Sequence, residues 1–282
     1  MTKSRRPLTS LLLVEERLLE AEYFTGLMRR RGGAEFGYCL NAFVSASRSV
    51  TFLTQKEMAR VPGFDAWWAM QQTAMSRDPA MRFFLKLRNY SQKEGRISLV
   101  GVSRGHGASR RWSHCFAGTE DQVPDTLLHR DVTDCCREHI AKLAQVVIAC
   151  TKRFPFHACP RSALTPEGMQ ALGFSVEELG SLVGLDPSWI RTSELPLEDL
   201  LRILREQVDG LDIREIERLA RWTPRRTGGT FATDPFGEEL QRRLVEQLEG
   251  SRRQVDASVL LGEMLLHAWW NDRNGGGHPQ GD

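Results

Sequence analysis

Asp78-Pro79-Ala80-Met81-Arg82-Phe83-Phe84-Leu85-Lys86-Leu87-Arg88-Asn89-Tyr90-Ser91-Gln92-Lys93-Glu94-Gly95 opens and closes as a helix does. Asp78 is an N-cap type, Pro79 suits the first helical position, and Gly95 stops the run. Between them Met81, Phe84 and Arg88 fall on one side of a 3.6-residue repeat. A guanidinium on an otherwise apolar face must snorkel to water, pair with an acid such as Glu20 or Glu22 on another helix, or reach an anionic ligand.

Helical patterning continues on both sides of this stretch. Upstream, Ala66 to Ser76 forms a run opened by Phe64-Asp65 and separated from the preceding residues by Val61-Pro62-Gly63. Residues 35–58 place Phe36, Leu40, Phe43 and Val50 on one stripe, with small residues (Ala42, Ser45, Ala46, Ser47, Ser49) that let a neighbour approach closely. Residues 8–30 line up Leu11, Val14, Leu18, Ala21 and Met28 before Arg29-Arg30-Arg31 and Gly32-Gly33. Downstream, 96–130 is irregular, with a strand-like piece from Ile97 to Val102. A further helix over 131–153 aligns Val132, Cys136, Leu143, Val147 and Cys150, with Phe154 just beyond. The expectation is an all-α chain: a four-helix bundle over 1–153, a linker over 154–166, and a smaller C-terminal helical domain over 167–222. A loop over 223–235, helices within 236–270 and a flexible tail over 271–282 complete the prediction.

Composition narrows the function classes. Among 282 residues, 38 Lys plus Arg stand against 36 Asp plus Glu, a net charge of +2, which excludes a strongly basic nucleic-acid coat but not a local basic patch. Hydrophobic content of 41% with 26% charged residues is that of an ordinary globular protein. No apolar run approaches the ~20 residues of a spanning helix, so no membrane association is expected. The basic start, Met1 to Pro7, is followed by an apolar run that Glu15-Glu16-Arg17 interrupts, a poor export signal. Six cysteines without a C-x-x-C pair read as reduced thiols in a cytoplasmic protein. Cys136-x-x-His139 has ligand spacing on a helix, but Cys136 belongs to the apolar stripe, so neither metal nor cofactor is expected.

The slim helix Asn41-Ala42-Phe43-Val44-Ser45-Ala46-Ser47-Arg48-Ser49-Val50-Thr51-Phe52-Leu53, then Phe64-Asp65-Ala66-Trp67-Trp68, Asp78-Pro79, Arg88-Asn89 and Lys93-Glu94-Gly95 follow one another in an order that resembles the HEPN superfamily. The likeness is strongest to HEPN proteins of phage abortive-infection and toxin–antitoxin loci, and it covers residues 8–153. It implies a dimerising four-helix bundle that acts on RNA in phage defence or a related conflict. Active members are metal-independent endoribonucleases with an Arg, a following polar residue, and a His four to six residues into the same helix. Carried over, these are Arg88 and Asn89, but positions 93–95 hold Lys93, Glu94 and Gly95. Cleavage through the RNA 2′-hydroxyl needs a group that accepts and returns a proton near neutrality, which imidazole (pKa about 6.5) does and lysine (about 10.4) does not. The expectation is phosphate binding by Arg88 and Lys93 with cleavage weakened or absent.

His106 or His114 could supply the missing base by folding over Arg88. Their segment, with Arg104, Arg110 and Arg111 and the nearby Arg96, has a composition suited to RNA backbone contact and stacking. In the C-terminal half, Ser175-x-x-Glu178 fits a capping box with Phe174 and Leu179 as its staple, and Asp212-x-x-Glu215 repeats the pattern with Leu211 and Ile216. Residues 175–191 resemble a helix-turn-helix across Gly184, with Ser188 and Arg191 as the polar groups of its second helix and Trp189 and Ile190 as packing residues. Two other function classes therefore stand beside the RNA-binding one: a non-enzymatic regulator that binds DNA or a protein through 174–206, and a structural subunit of a larger assembly. The adjacent aromatics Trp67-Trp68 and Trp269-Trp270 are expected to pack domains or protomers together.

Overall fold

The computed structural model describes residues 8–104, 111–118 and 122–223. The expected elements from 224 onward, the Trp269-Trp270 pair included, lie outside the described residues. Among the described residues the fold is all-α apart from one antiparallel pair of strands. In order, the elements are α1 (Leu12–Met28), α2 (Gly33–Met58), α3 (Phe64–Arg77), α4 (Pro79–Lys93), β1 (Leu99–Arg104), β2 (Arg111–Phe116), α5 (Val132–Arg153), α6 (Pro155–Ala158), α7 (Pro160–Ala163), α8 (Pro166–Leu172), α9 (Val176–Leu182), α10 (Pro187–Thr192), α11 (Leu197–Glu206) and α12 (Ile213–Ala220). Among the described residues, no helix is long and apolar enough to cross a membrane.

Helices α1, α2, α4 and α5 pack around one core. Leu11, Val14, Leu18, Ala21 and Met28 are buried there, as are Phe36, Leu40, Phe43 and Val50 of α2, and Val132, Cys136, Leu143, Val147 and Cys150 of α5. A Cα–Cβ bond repeats its direction every third to fourth residue, so one apolar stripe per helix suffices to build such a core. Gly63 adopts a left-handed φ of 78°, which a side chain resists and glycine does not, and this lets α3 begin at Phe64. The strands pair antiparallel from Leu99 opposite Phe116 to Arg104 opposite Arg111, so the strand-like piece is half of a hairpin.

Asp78 fixes the start of α4. Its Oδ1 accepts from the amides of Ala80 (2.9 Å) and Met81 (3.1 Å), while Oδ2 accepts from Lys142 Nζ of α5 at 2.7 Å. Burial raises the carboxyl's pKa, but the bonds from Lys142 and the two amides outweigh it and hold the group below the ordinary Asp value. Asp78→Ala should cost about 1–3 kcal/mol at pH 7, combining a lost cap with a partly shielded ion pair. Because the folded pKa is depressed, this contribution is present at neutral pH and disappears as pH falls through that pKa. Urea unfolding at pH 7 and at about pH 3 should therefore show a difference between the two proteins that narrows in acid.

The segment expected to be a linker does not behave as one. Residues 154–166 contain α6 and α7 and bury Phe154, Ala158, Ala163 and Leu164. Leu11 N donates to Ala158 O at 2.9 Å and Thr9 Oγ1 to His157 O at 2.6 Å, which docks this stretch on the entry to α1. Pro155 and Pro160 each stand at a helix start, where the missing N–H is no loss. Both prolines thus start helices within the segment expected to be a linker. Beyond them, Leu164, Leu179, Ile190, Leu200, Leu201 and Leu204 form a second, smaller core.

Helix α12 returns to the first core through Ile216 and Leu219. Glu15, buried on α1, accepts from the amide of Asp212 at 3.2 Å, and Arg218 Nη1 donates to Glu22 Oε1 at 2.8 Å. Ser175 and Glu178 make the reciprocal box as read; at Asp212 only the cap forms, its carboxylate accepting from the amide of Glu215, while the Asp212 amide donates to Glu15 and the Glu215 carboxylate pairs with Arg218. Trp67 and Trp68 are inside the core rather than at a boundary. Trp67 meets Phe154 edge-on at 5.7 Å and Trp68 stacks on Phe64 at 5.6 Å.

Candidate functional site

The buried face of α4 carries Ala80, Met81, Phe84 and Leu87, and Arg88 leaves this face half-buried one turn after Phe84. Phe84 is clamped from three sides. It meets Phe43 of α2 edge-on at 5.8 Å, Phe116 of β2 at 5.9 Å, and the ring of His139 of α5 face-on at 4.3 Å. Anchored in this way, α4 presents Arg88 towards α2.

Neither Glu20 nor Glu22 takes Arg88: Glu20 pairs with Arg17, and Glu22 with Arg218. Among the described residues no carboxylate lies within ion-pair distance of Arg88. Its Nη1 reaches only Asn89 Oδ1, at 3.3 Å, and its Nε is buried without a hydrogen-bond partner. Its charged neighbour is Arg48 of α2, another cation. Burial first, and the positive charge of Arg88 second, pull the Arg48 pKa below its ordinary value. Arg48 Nη1 donates to Thr51 Oγ1 at 2.6 Å and likewise has no carboxylate partner among the described residues.

Two neighbouring guanidiniums without an acid between them repel, and an anion that bridges them removes the repulsion. Asn41, seven residues before Arg48 and so on the same face of α2, keeps a buried Oδ1 without a partner. Sequence reading missed Arg48. The available signal was a lone arginine in the small and apolar middle stretch of α2, from Ala42 to Leu53.

The remaining candidate residues are spread apart. Asn89, Lys93 and Arg96 are exposed, and Lys93 lies about 140° around the helix from Arg88, five residues on. His114 does not fold over Arg88. Its ring stacks on Phe36 at 4.0 Å, and Phe36 stands about 18 Å before Arg48 along α2. Burial lowers the His114 pKa, while the Asp131 carboxylate pulls the other way. The backbones of Arg104 and Arg111 face each other in the hairpin. His106, Arg110 and the side chains of Arg104 and Arg111 lie outside the described residues.

Cys136 and His139 both face the core. Burial drives the Cys136 thiol pKa up, and burial together with the Lys142 charge drives His139 down to about 3, against a smaller opposing pull from Asp78. In the helix-turn-helix-like stretch, α10 spans six residues. Ile190 is buried against Gly180 as a packing residue should be, whereas Trp189, expected to pack as well, is 43% exposed.

Residues 14–148, just under half of the chain, match the family described as bacteriophage lambda protein ea47. The matched stretch runs from α1 into α5 and contains both Arg48 and Arg88. No curated protein and no solved structure matches the chain.

Proposed function

We propose that the Arg48–Arg88 pair binds a phosphate of single-stranded RNA, as an HEPN-like site whose cleavage chemistry is weakened or lost. The observation that carries this reading is that Arg48 of α2 and Arg88 of α4 lie within electrostatic reach of each other, with no carboxylate among the described residues within ion-pair distance of either. Asn89, bonded to Arg88, orients the guanidinium, and exposed Lys93 and Arg96 extend the positive surface from the end of α4. Cleavage is weak in this reading because lysine replaces the family's histidine and His114 is engaged with Phe36. The resemblance further implies a homodimer working in phage defence or a related genetic conflict, and the phage-family match is compatible with such a setting.

The test uses the full chain, a fluorescent single-stranded RNA and EDTA throughout. Arg88→Ala and Arg48→Ala should each weaken binding about tenfold or more and flatten its salt dependence, with circular dichroism unchanged. The RNA should remain intact. Retention of wild-type affinity by both variants would refute the reading, and products ending in cyclic phosphate would replace the weakened site with an active one.

A further inference from the structure

A second cationic site, remote in sequence from Arg48 and Arg88, lies among the C-terminal helices. An open cavity of about 600 Å3 is lined by Arg161 and Ser162 of α7, Thr165 at the start of α8, and Arg202, Arg205 and Glu206 of α11. Its volume is within the range of about 300–1,000 Å3 usual for small-ligand sites.

The three arginines are not equivalent. Arg202 is satisfied by acids on its own helix, Asp199 at 3.2 Å and Glu206 at 3.7 Å. Arg205 has no carboxylate partner among the described residues, and its Nε is buried with no hydrogen-bond partner. Arg161 donates through Nε to Val208 O at 2.8 Å and likewise meets no carboxylate.

Two glycines make room for this wall. A Cβ on Gly210 would stand 2.9 Å from both Cδ and Nη1 of Arg161, so the bare backbone of Gly210 is what allows this guanidinium its place. A Cβ on Gly168 would come within 2.3 Å of Ser162 O, so α8 sits directly on α7 and fixes the position of Ser162. Thr165 contributes structure rather than a free hydroxyl, since it donates to Ser162 O and accepts from Gly168 N.

We infer that this cavity binds a small molecule through a terminal phosphate or diphosphate, held between Arg161 and Arg205. Two guanidiniums without acid partners match a doubly charged terminal phosphate better than the single charge of an internal phosphodiester. The phosphate fills only part of the cavity, leaving room for the body of the ligand. Among the described residues, Glu206 is the one carboxylate in the lining. It repels the incoming anion and is held only loosely by Arg202.

The test is calorimetric titration of the full chain with pyrophosphate, with 5′-phosphorylated and 5′-hydroxyl RNA oligonucleotides as separate arms. Arg205→Gln should weaken pyrophosphate binding tenfold or more, Glu206→Gln should tighten it severalfold, and Arg60→Ala, an exposed cation outside the lining, should leave it unchanged. Thermal melts establish that each variant folds. Tightening in Glu206→Gln is a response that a merely structural role for these residues would not produce. Absence of saturable binding, or equal affinity in all four proteins, would overturn the inference. Equal, Arg205-dependent affinity for the two oligonucleotides would overturn the small-molecule assignment in favour of a nucleic-acid backbone.

Discussion

Phe84→Ala should cost about 3–5 kcal/mol and lower the melting temperature by roughly 6–20 °C. Phe84 is 3% exposed and joins four elements at once: α4 that carries it, Phe43 of α2, Phe116 of β2 and His139 of α5. Truncation leaves a cavity whose walls belong to different elements and cannot all move inward together, which places the site towards the costly end of large-to-small changes. It also removes the ring that covers His139. Water reaching the imidazole should raise its pKa from about 3 towards the ordinary value of about 6.5. Calorimetry checks the first effect, and proton NMR of the His139 ring the second. A fall in stability with no movement of the His139 titration would show that the ring is kept dry by something other than Phe84.

His139 leads to the second large effect. The folded protein refuses a proton that the unfolded chain takes up below about pH 6.5, so between there and about pH 3 the unfolded state holds more protons. Stability must then rise with pH across this window and be lost as the solution is acidified. Its Nδ1 is buried without a hydrogen-bond partner, so no contact on that nitrogen rewards protonation. His139→Leu keeps an apolar group of similar size against Phe84 and Phe43 and removes the titration. Relative to the variant, the natural protein should lose about 2–3 kcal/mol between pH 7 and about pH 4.5. The other titrating groups, the Asp78 carboxyl included, are common to both proteins and cancel in this comparison. Parallel pH profiles from urea unfolding would refute the assignment.

This core is also why the Arg88 site has a defined geometry. Asp78 fixes where α4 begins and ties it to α5, Phe84 fixes which face of α4 is turned inward, and Arg88 emerges one turn later beside Arg48. A guanidinium positioned by a packed helix loses less conformational freedom on meeting an anion than one on a surface loop. The same contrast separates Arg205, whose Nε is buried, from exposed cations such as Lys93.

Local signals were legible from the amino acids alone: the caps at Asp78, Ser175 and Asp212, and the apolar stripes of α1, α2 and α5, all form as read. They are legible because a cap or a stripe is decided within a few residues, by hydrogen bonds and a period the chain carries in itself. Tertiary structure alone decided that Arg88 faces Arg48 instead of an acid, that His114 stacks on Phe36, and that 154–166 packs instead of linking. It alone gathered Arg161 and Arg205 into one cavity. Each of these pairings joins residues about 40 or more positions apart, and which distant side chains meet depends on how helices cross and pack, which no local pattern encodes.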